Sequence, residues 1–338
     1  MEILLDRRLC TTGKEFIQYL MKLTAVIPTI GRLPFLDFSI GSLLAQRIPF
    51  DEILIVDNSS DQNLQQLSRW GRMTGVRWER SGGGLPATQN WNLAVRLCSY
   101  EYVTIFGDDD IARENFCDEL RTGLRNSGMV FCNFDVIDEH GDIVRRGKTL
   151  PMQFTAAQFR HARMRGELYT VIPGFAFRQK DFIDIGGFRH LGLPKDLYCD
   201  DDLWFRLSER AGSLTVARGT SWCYRIHDGQ VGHVFSYRTF LQNIDEFVKL
   251  MMEALKELGV VEKDLFPKDW NKDTYRRKLL DIRLSITLSR DVSAGIRTPL
   301  RVAQFDAPWS ERGRMFLIAC ASVLRRLRKK MERRERGP

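Results

Sequence analysis

YVTIFGDDDI, residues 102–111, is an apolar, β-branched run that stops abruptly at three consecutive carboxylates, Asp108, Asp109 and Asp110. Tyr102–Phe106 is short, continuous and rich in Val, Ile, Thr and aromatics, the composition of a strand buried on both faces. In a parallel α/β sheet, ligands gather at the carboxyl ends of such strands. Three adjacent carboxylates repel one another, and a divalent cation removes that penalty. Oxygen donors shared with substrate phosphates are the usual way of holding Mg²⁺ or Mn²⁺. The alternative is a solvated turn capping the helix expected from Arg113, which acidic residues also favour. The metal reading is placed ahead of it.

Strands and helices alternate outward from this stretch. Leu23–Ile27 (LTAVI), Ile53–Val56 (ILIV) and Val76–Glu79 read as strands before it, and Met129–Val136 as one after it. Helices are expected over Phe35–Gln46, Leu64–Arg72, Ala87–Leu97 and Arg113–Asn126. This alternation predicts a parallel, doubly wound sheet with right-handed crossovers. Thr29 and Arg32, Asp57, the Ser81-Gly82-Gly83-Gly84 loop and the Asp triplet then gather on one edge. Gly82-x-Gly84-x-x-Ala87 has the form of a dinucleotide fingerprint, but it follows the third strand instead of the first. Gly13-Lys14 is followed by Glu15, so it is no P-loop. The glycines are read as backbone that a ligand can approach closely.

Beyond residue 142 the pattern loosens. A helix is expected over Thr155–Met164, a strand over Ile172–Arg178 and a short helix over Asp181–Phe188. Cys199-Asp200-Asp201-Asp202 is a second acidic cluster, opening an amphipathic helix that ends near Gly212. Asp202 is assigned to the first-turn amides, with Asp200 still in the loop. Trp222–His227 is strand-like, and residues 237–338 read as mostly helical, including Tyr237–Leu258, Thr274–Leu288 and Arg314–Arg334.

The 338 residues are 43% hydrophobic and 28% charged, ordinary for a globular chain. Seven scattered cysteines without a CxxC pair argue against a disulfide framework or structural zinc and suit a reducing, cytoplasmic compartment. Neither a signal pattern nor an apolar run near the ~20 residues of a bilayer span is evident. Net charge is +8, and from Arg312 to Pro338 ten basic residues against two acidic ones account for all of it. The body is therefore balanced and lacks the basic face of a nucleic-acid binder. Residues 1–22 carry little pattern, and Met21 is a second candidate start.

In order and spacing these segments resemble family 2 of the nucleotide-sugar glycosyltransferases, whose fold is GT-A: an α/β, Rossmann-like, mostly parallel sheet flanked by helices. The matching segments are Ala25-Val26-Ile27-Pro28-Thr29, Val56-Asp57-Asn58-Ser59, Gly82–Asn92 and Asp108–Asp110. Gly186-Gly187-Phe188, Asp200 ahead of Leu203–Leu207, and Tyr224-Arg225-Ile226-His227 follow. The resemblance spans Thr24–Gly232. It implies that Pro28, Thr29, Arg32, Asp57, Ser59, Gly83, Asn90, Asp108 and Asp109 bind the nucleotide sugar. It also implies that Asp108, Asp110 and His227 hold Mn²⁺ or Mg²⁺, and that Asp200, with Asp201 as competitor, is the catalytic base. Gly107 stands where the family often has Asp, and Cys199 where Glu is usual. Which two of Asp108–Asp110 touch metal and which of Asp200 and Asp201 is the base therefore stay open. His140, His161, His190 and His233 are given structural roles.

The expected organisation is an extension over 1–22, a catalytic domain over 23–235 and a helical C-terminal region over 236–338. Within the catalytic domain, 23–136 forms the nucleotide-sugar half and 137–235 the acceptor half. The implied activity is inverting transfer of a sugar, UDP-linked, to a hydroxyl of a saccharide or lipid-linked acceptor, in envelope polysaccharide synthesis. The amphipathic tail 312–338 is expected to lie on an anionic membrane from the cytoplasmic side, with a helix docked on the body as the alternative. Two other readings compete. A sugar nucleotidyltransferase would carry a Gly-rich basic loop after the first strand, of which Pro28–Arg32 is a poor version. A non-enzymatic membrane- or nucleic-acid-binding adaptor would leave both acidic clusters as solvated turns.

Overall fold

The computed structural model describes residues 21–60, 63–147, 152–227 and 237–290. The N-terminal stretch, residues 228–236 and the basic tail lie outside these, and with them the start-site and membrane expectations. The chain divides into two compact units: 1–160, 169–228 and 257–259 in one; 161–168, 229–256 and 260–338 in the other.

Among the described residues the first unit carries one ten-stranded sheet: β1 (Leu23–Thr29), β2 (Glu52–Asp57), β3 (Val76–Arg80), β4 (Tyr102–Ile105), β5 (Ile111–Ala112), β6 (Met129–Ile137), β7 (Ile143–Arg145), β8 (Met152–Thr155), β9 (Phe175–Arg178) and β10 (Ser213–Arg225). The order is β3-β2-β1-β4-β9-β6-β10-β5, with β7 on β6 and β8 on β10. β3, β2, β1 and β4 are parallel, as their apolar runs predict. Every residue of β1 is buried, and Pro28, which has no N–H to give, sits beyond the last β1–β4 pair, Val26 with Ile105.

The sheet is not parallel throughout. β9 enters antiparallel between β4 and β6. Composition marks β9 as a buried strand but carries no direction. Three strands escaped the sequence reading: two-residue β5, exposed β7, and β8, all paired antiparallel with their neighbours. β10 is 13 residues long where only its last part was expected. The helices are α1 (Leu33–Leu44), α2 (Leu64–Leu67), α3 (Ala87–Leu97), α4 (Phe116–Leu124), α5 (Ala156–Arg165), α6 (Gln179–Asp184) and α7 (Cys199–Ala211). α2 is a single turn where three were expected, because Ser68 and Trp70 turn back to bind Asp37.

The second unit contains α8 (Tyr237–Glu257) and α9 (Lys272–Arg290). Phe240, Ile244, Phe247, Val248, Met251 and Leu255 are buried at helical spacing along α8. Arg276 pairs with Asp245 at 2.7 Å, and Phe266 meets Tyr275.

Candidate active site

The carboxyl ends of β1, β4 and β10 meet at the Asp triplet. Asp108 accepts the Thr29 hydroxyl at 2.7 Å and is paired with the Arg32 guanidinium. Asp109 faces His227 Nε2 at 2.9 Å and Arg32 Nη1 at 3.1 Å. Asp110 accepts the Arg225 backbone N–H at 2.9 Å on Oδ1, while its Oδ2 is buried with no hydrogen-bond partner. Burial, then the charge of Asp109, pushes the Asp110 carboxyl well above the usual carboxylate range. Arg225 supports the cluster from behind: its Nε donates to the Asp109 carbonyl at 2.8 Å, and it lies over Phe35, which also touches the His227 ring. A Cβ at Gly107 would come within 2.3 Å of Asp110 Oδ2 and 3.0 Å of Asp109 Oδ1. The absence of a side chain at 107 is what lets two carboxylates crowd there.

Beside the triplet, Asp57 accepts the Ser59 N–H at 2.8 Å and pairs with Arg80 at 3.0 Å. The Asn58 amide clasps both backbone groups of Leu85, at 2.8 and 2.9 Å. This holds a glycine loop in which Gly82, Gly83 and Gly84 all have positive φ, and Gly83 passes so close to the Ser59 carbonyl that a Cβ would stand 3.0 Å from it. Asn90 on α3 is buried with Oδ1 unpartnered. The structure thus brings Pro28, Thr29, Arg32, Asp57, Ser59, Gly83, Asp108, Asp109, Asp110 and His227 to one edge. His227 stands on Asp109; Asp108 is held by Thr29 and Arg32.

The second acidic cluster differs from expectation in two respects. α7 begins at Cys199, after Tyr198 in a left-handed conformation, so Asp200 lies in the first turn and not in the loop. Asp202 does not serve the first-turn amides: it is buried against Arg189 and Arg206. Arg206 also donates to the carbonyls of Ile185 and Gly187 at 2.8 and 2.7 Å. That ties the Gly-Gly turn to the helix and explains why the two motifs accompany one another. Asp200 is half-buried and Asp201 is 4% exposed.

Removing one partner of a buried ion pair costs about 3–5 kcal/mol where a lone charge is left. Asp202 keeps Arg189 when Arg206 is lost, so the cost comes down to the about 1–3 kcal/mol of buried acceptors left without a donor. Arg206→Met is therefore expected to lower urea-unfolding stability by about that amount. A loss below about 1 kcal/mol would mean that the pair is not holding the turn.

The sequence reading missed Thr88, Asn92 as a clamp, His190 and Asp196. Thr88 and Asn92 lie four apart on one face of α3. Asn92 binds both backbone groups of Phe188 at 2.8 Å; Thr88 donates to Asp196 at 2.9 Å, and Asp196 faces His190 Nδ1 at 2.7 Å. Lys195, Asp196 and Tyr198 all have positive φ, backbone strain just ahead of the α7 carboxylates. The i, i+4 spacing of Thr88 and Asn92 was the available signal.

Residues 24–186 match the family model of glycosyl transferase family 2. The match ends ahead of Asp200–Asp202 and His227. The fold is similar to that of S. aureus TarS 1-349, at 17% identity over 94% of this chain and 92% of that one, with a TM-score of 0.55. Against the same TarS region in complex with UDP-GlcNAc the TM-score is 0.58 at 16% identity, and in complex with UDP it is 0.54 at 16%, with the same coverage. At these identities the likeness is one of fold. No curated protein sequence matches the chain. No helix among the described residues is long and apolar enough to cross a membrane.

Among the described residues no three His, Cys, Asp or Glu side chains already surround one point as a closed metal site. The donor chemistry nonetheless fits a hard divalent cation: two carboxylates crowd at Gly107, one with a buried, unpaired oxygen, and an imidazole nitrogen stands on the other.

Proposed function

We propose that the protein is an inverting, cation-dependent glycosyltransferase that moves a sugar from a UDP-sugar to a hydroxyl of a saccharide or lipid-linked acceptor. The observation that carries this reading is the buried, unpartnered oxygen of Asp110 inside a carboxylate cluster at the ends of β1, β4 and β10. The TarS structures solved with UDP-GlcNAc and UDP support the choice of donor class. Residues 23–136 hold the donor and 137–235 the acceptor. Pro28, Thr29, Asp57, Ser59, Gly83 and Asn90 would hold the nucleoside end of the donor. Asp109, Asp110 and His227 hold Mn²⁺ or Mg²⁺, with Asp108 fixing Arg32 beside them.

A cation there supplies positive charge against the departing diphosphate. Asp200 accepts the proton of the acceptor hydroxyl as its oxygen bonds to the anomeric carbon. The bond from that carbon to the phosphate oxygen breaks, and the nucleoside diphosphate leaves through an oxocarbenium-like state. Release of free nucleotide from a panel of nucleotide sugars, with Mn²⁺, Mg²⁺ or neither, tests this. Turnover of none of them would favour the adaptor, and release of pyrophosphate from a nucleoside triphosphate and a sugar phosphate would favour the nucleotidyltransferase.

The raised pKa of Asp110 has a thermodynamic consequence. The folded protein keeps a proton that the unfolded chain releases near pH 4. Stability from this group is full below about pH 4 and is lost as pH rises through the folded pKa. Asp110→Asn is expected to flatten the decline that sets in above about pH 4, and to raise the cation-free thermal midpoint at pH 8 by a few degrees. A lower midpoint for the variant at pH 8 would show that the carboxylate is not under strain.

The basic tail would place the enzyme on an anionic membrane, in envelope polysaccharide synthesis, each basic residue near the surface contributing on the order of 1 kcal/mol. A chain ending at Ser310 is expected to lose co-sedimentation with anionic vesicles. Retained co-sedimentation rules the tail out.

A further inference from the structure

One oxygen in the cluster is claimed twice. Asp109 Oδ2 lies 2.9 Å from His227 Nε2 and 3.1 Å from Arg32 Nη1. The same guanidinium holds Asp108, through Nη2 on Oδ1 and Nε on Oδ2. A single arginine is therefore shared by two of the three carboxylates, one positive charge against two negative ones, while Asp110 keeps an oxygen buried and unpaired. A carboxylate oxygen offers two lone-pair positions, and both on Asp109 Oδ2 are occupied. A cation that took this oxygen and His227 Nε2 in place of the bond between them would stand directly against the Arg32 guanidinium on the other side of it.

Arg32 is placed to move. Its side chain is 28% exposed, and it stands on the short β1–α1 connection beside Gly31, whose φ is 98°. Asp108 keeps it next to the site after it leaves Asp109. The Arg225 side chain donates to the carbonyls of Asp109, Asp138 and Glu139. A guanidinium fork accepts phosphate oxygens as well as carboxylate oxygens. A donor diphosphate brought to the cluster supplies the oxyanions that a displaced Arg32 needs.

We propose that Arg32 is a resident counter-cation, which occupies Asp109 until a divalent cation takes its place and then transfers its hydrogen bonds to the donor diphosphate. This rests on the cation reading above. Without nucleotide, the displaced guanidinium stays close to the incoming cation and opposes it. With nucleotide, the repulsion becomes an attraction to phosphate. Cation and nucleotide therefore raise each other's affinity, and by linkage the factor is the same in both directions. Arg32 is the residue through which part of that coupling passes.

Mn²⁺ binding followed by electron paramagnetic resonance, with Mn²⁺ alone and with Mn²⁺ plus UDP, tests this on the wild type, Arg32→Met and Arg32→Lys. Arg32→Met is expected to bind Mn²⁺ alone about tenfold more tightly than the wild type, because a neighbouring positive charge is gone. UDP is expected to raise Mn²⁺ affinity by a smaller factor in Arg32→Met than in the wild type. Arg32→Lys, which keeps the charge without the fork, should fall between. Equal or weaker Mn²⁺ binding by Arg32→Met, or an equal UDP effect in the two proteins, overturns the proposal and leaves the cation reading standing. Mn²⁺ binding by none of the proteins, with UDP present, removes both. Thermal midpoints identify a variant that has not folded, and Arg32→Lys then carries the comparison.

Discussion

Chelation by EDTA is expected to lower turnover of the donor by at least ~10³, with Mn²⁺ or Mg²⁺ restoring it. The size follows from what the leaving group needs. Removing a single neutral hydrogen-bond donor from a developing oxyanion costs ~10²–10³ in rate, and a divalent cation on a diphosphate carries more charge than one such donor. The cluster cannot make up the loss, since Arg32 is already committed to Asp108 and Asp109. Asp110→Ala should in parallel weaken cation-dependent UDP binding by titration calorimetry. Wild-type protein that binds UDP equally well with and without cation would sink the metal reading.

Asp200→Asn is expected to lower kcat by ~10²–10⁴, the range for loss of a general base, while donor affinity stays nearly intact. The amide keeps the shape of the carboxylate and cannot take the acceptor proton. Asp202 is not in contention, being buried between Arg189 and Arg206. Asp201 is the competitor, and it is the more buried of the two; a base must reach the hydroxyl it deprotonates, which favours the half-buried Asp200. Asp201→Asn is expected to be milder. Should Asp201→Asn be the variant that binds donor and does not turn over, with Asp200→Asn active, the base moves by one residue.

The strand ends were legible because Leu23–Ile27, Ile53–Val56 and Tyr102–Phe106 are apolar runs that break into polar loops, which is what burial on both faces looks like in a sequence. The direction of β9 was not, since an inserted antiparallel strand has the same composition as a parallel one. The start of α7 was placed too late because Tyr198, at its N-cap, is not a residue that signals one. Asp202 read as a cap because its partner Arg189 lies 13 residues earlier, beyond any local pattern; its i, i+4 spacing to Arg206 was the signal available. Asn90 and Asn92 stood out as types, but only the folded chain shows Asn92 spent on Phe188 and Asn90 left with a buried, unpartnered oxygen. His190 was set aside as structural, and Asp196, its partner, carried no signal at all.

The pairing of β10 with the triplet also bears on how the protein is made. Arg225 reaches Asp110 across 115 residues, and His227 reaches Asp109 across 118. On a ribosome, β1, β2, β3 and β4 can assemble soon after residue 105 emerges, with Thr29 and Arg32 already beside Asp108. β9 must then arrive before β6 can be joined to them, and the triplet acquires its last partners only once the end of β10 is free of the exit tunnel. A nascent or prematurely terminated chain can therefore contain β1–β4 while Asp109 and Asp110 still lack His227 and the Arg225 N–H. On the function proposed above, competence to cleave donor is withheld until translation has passed His227.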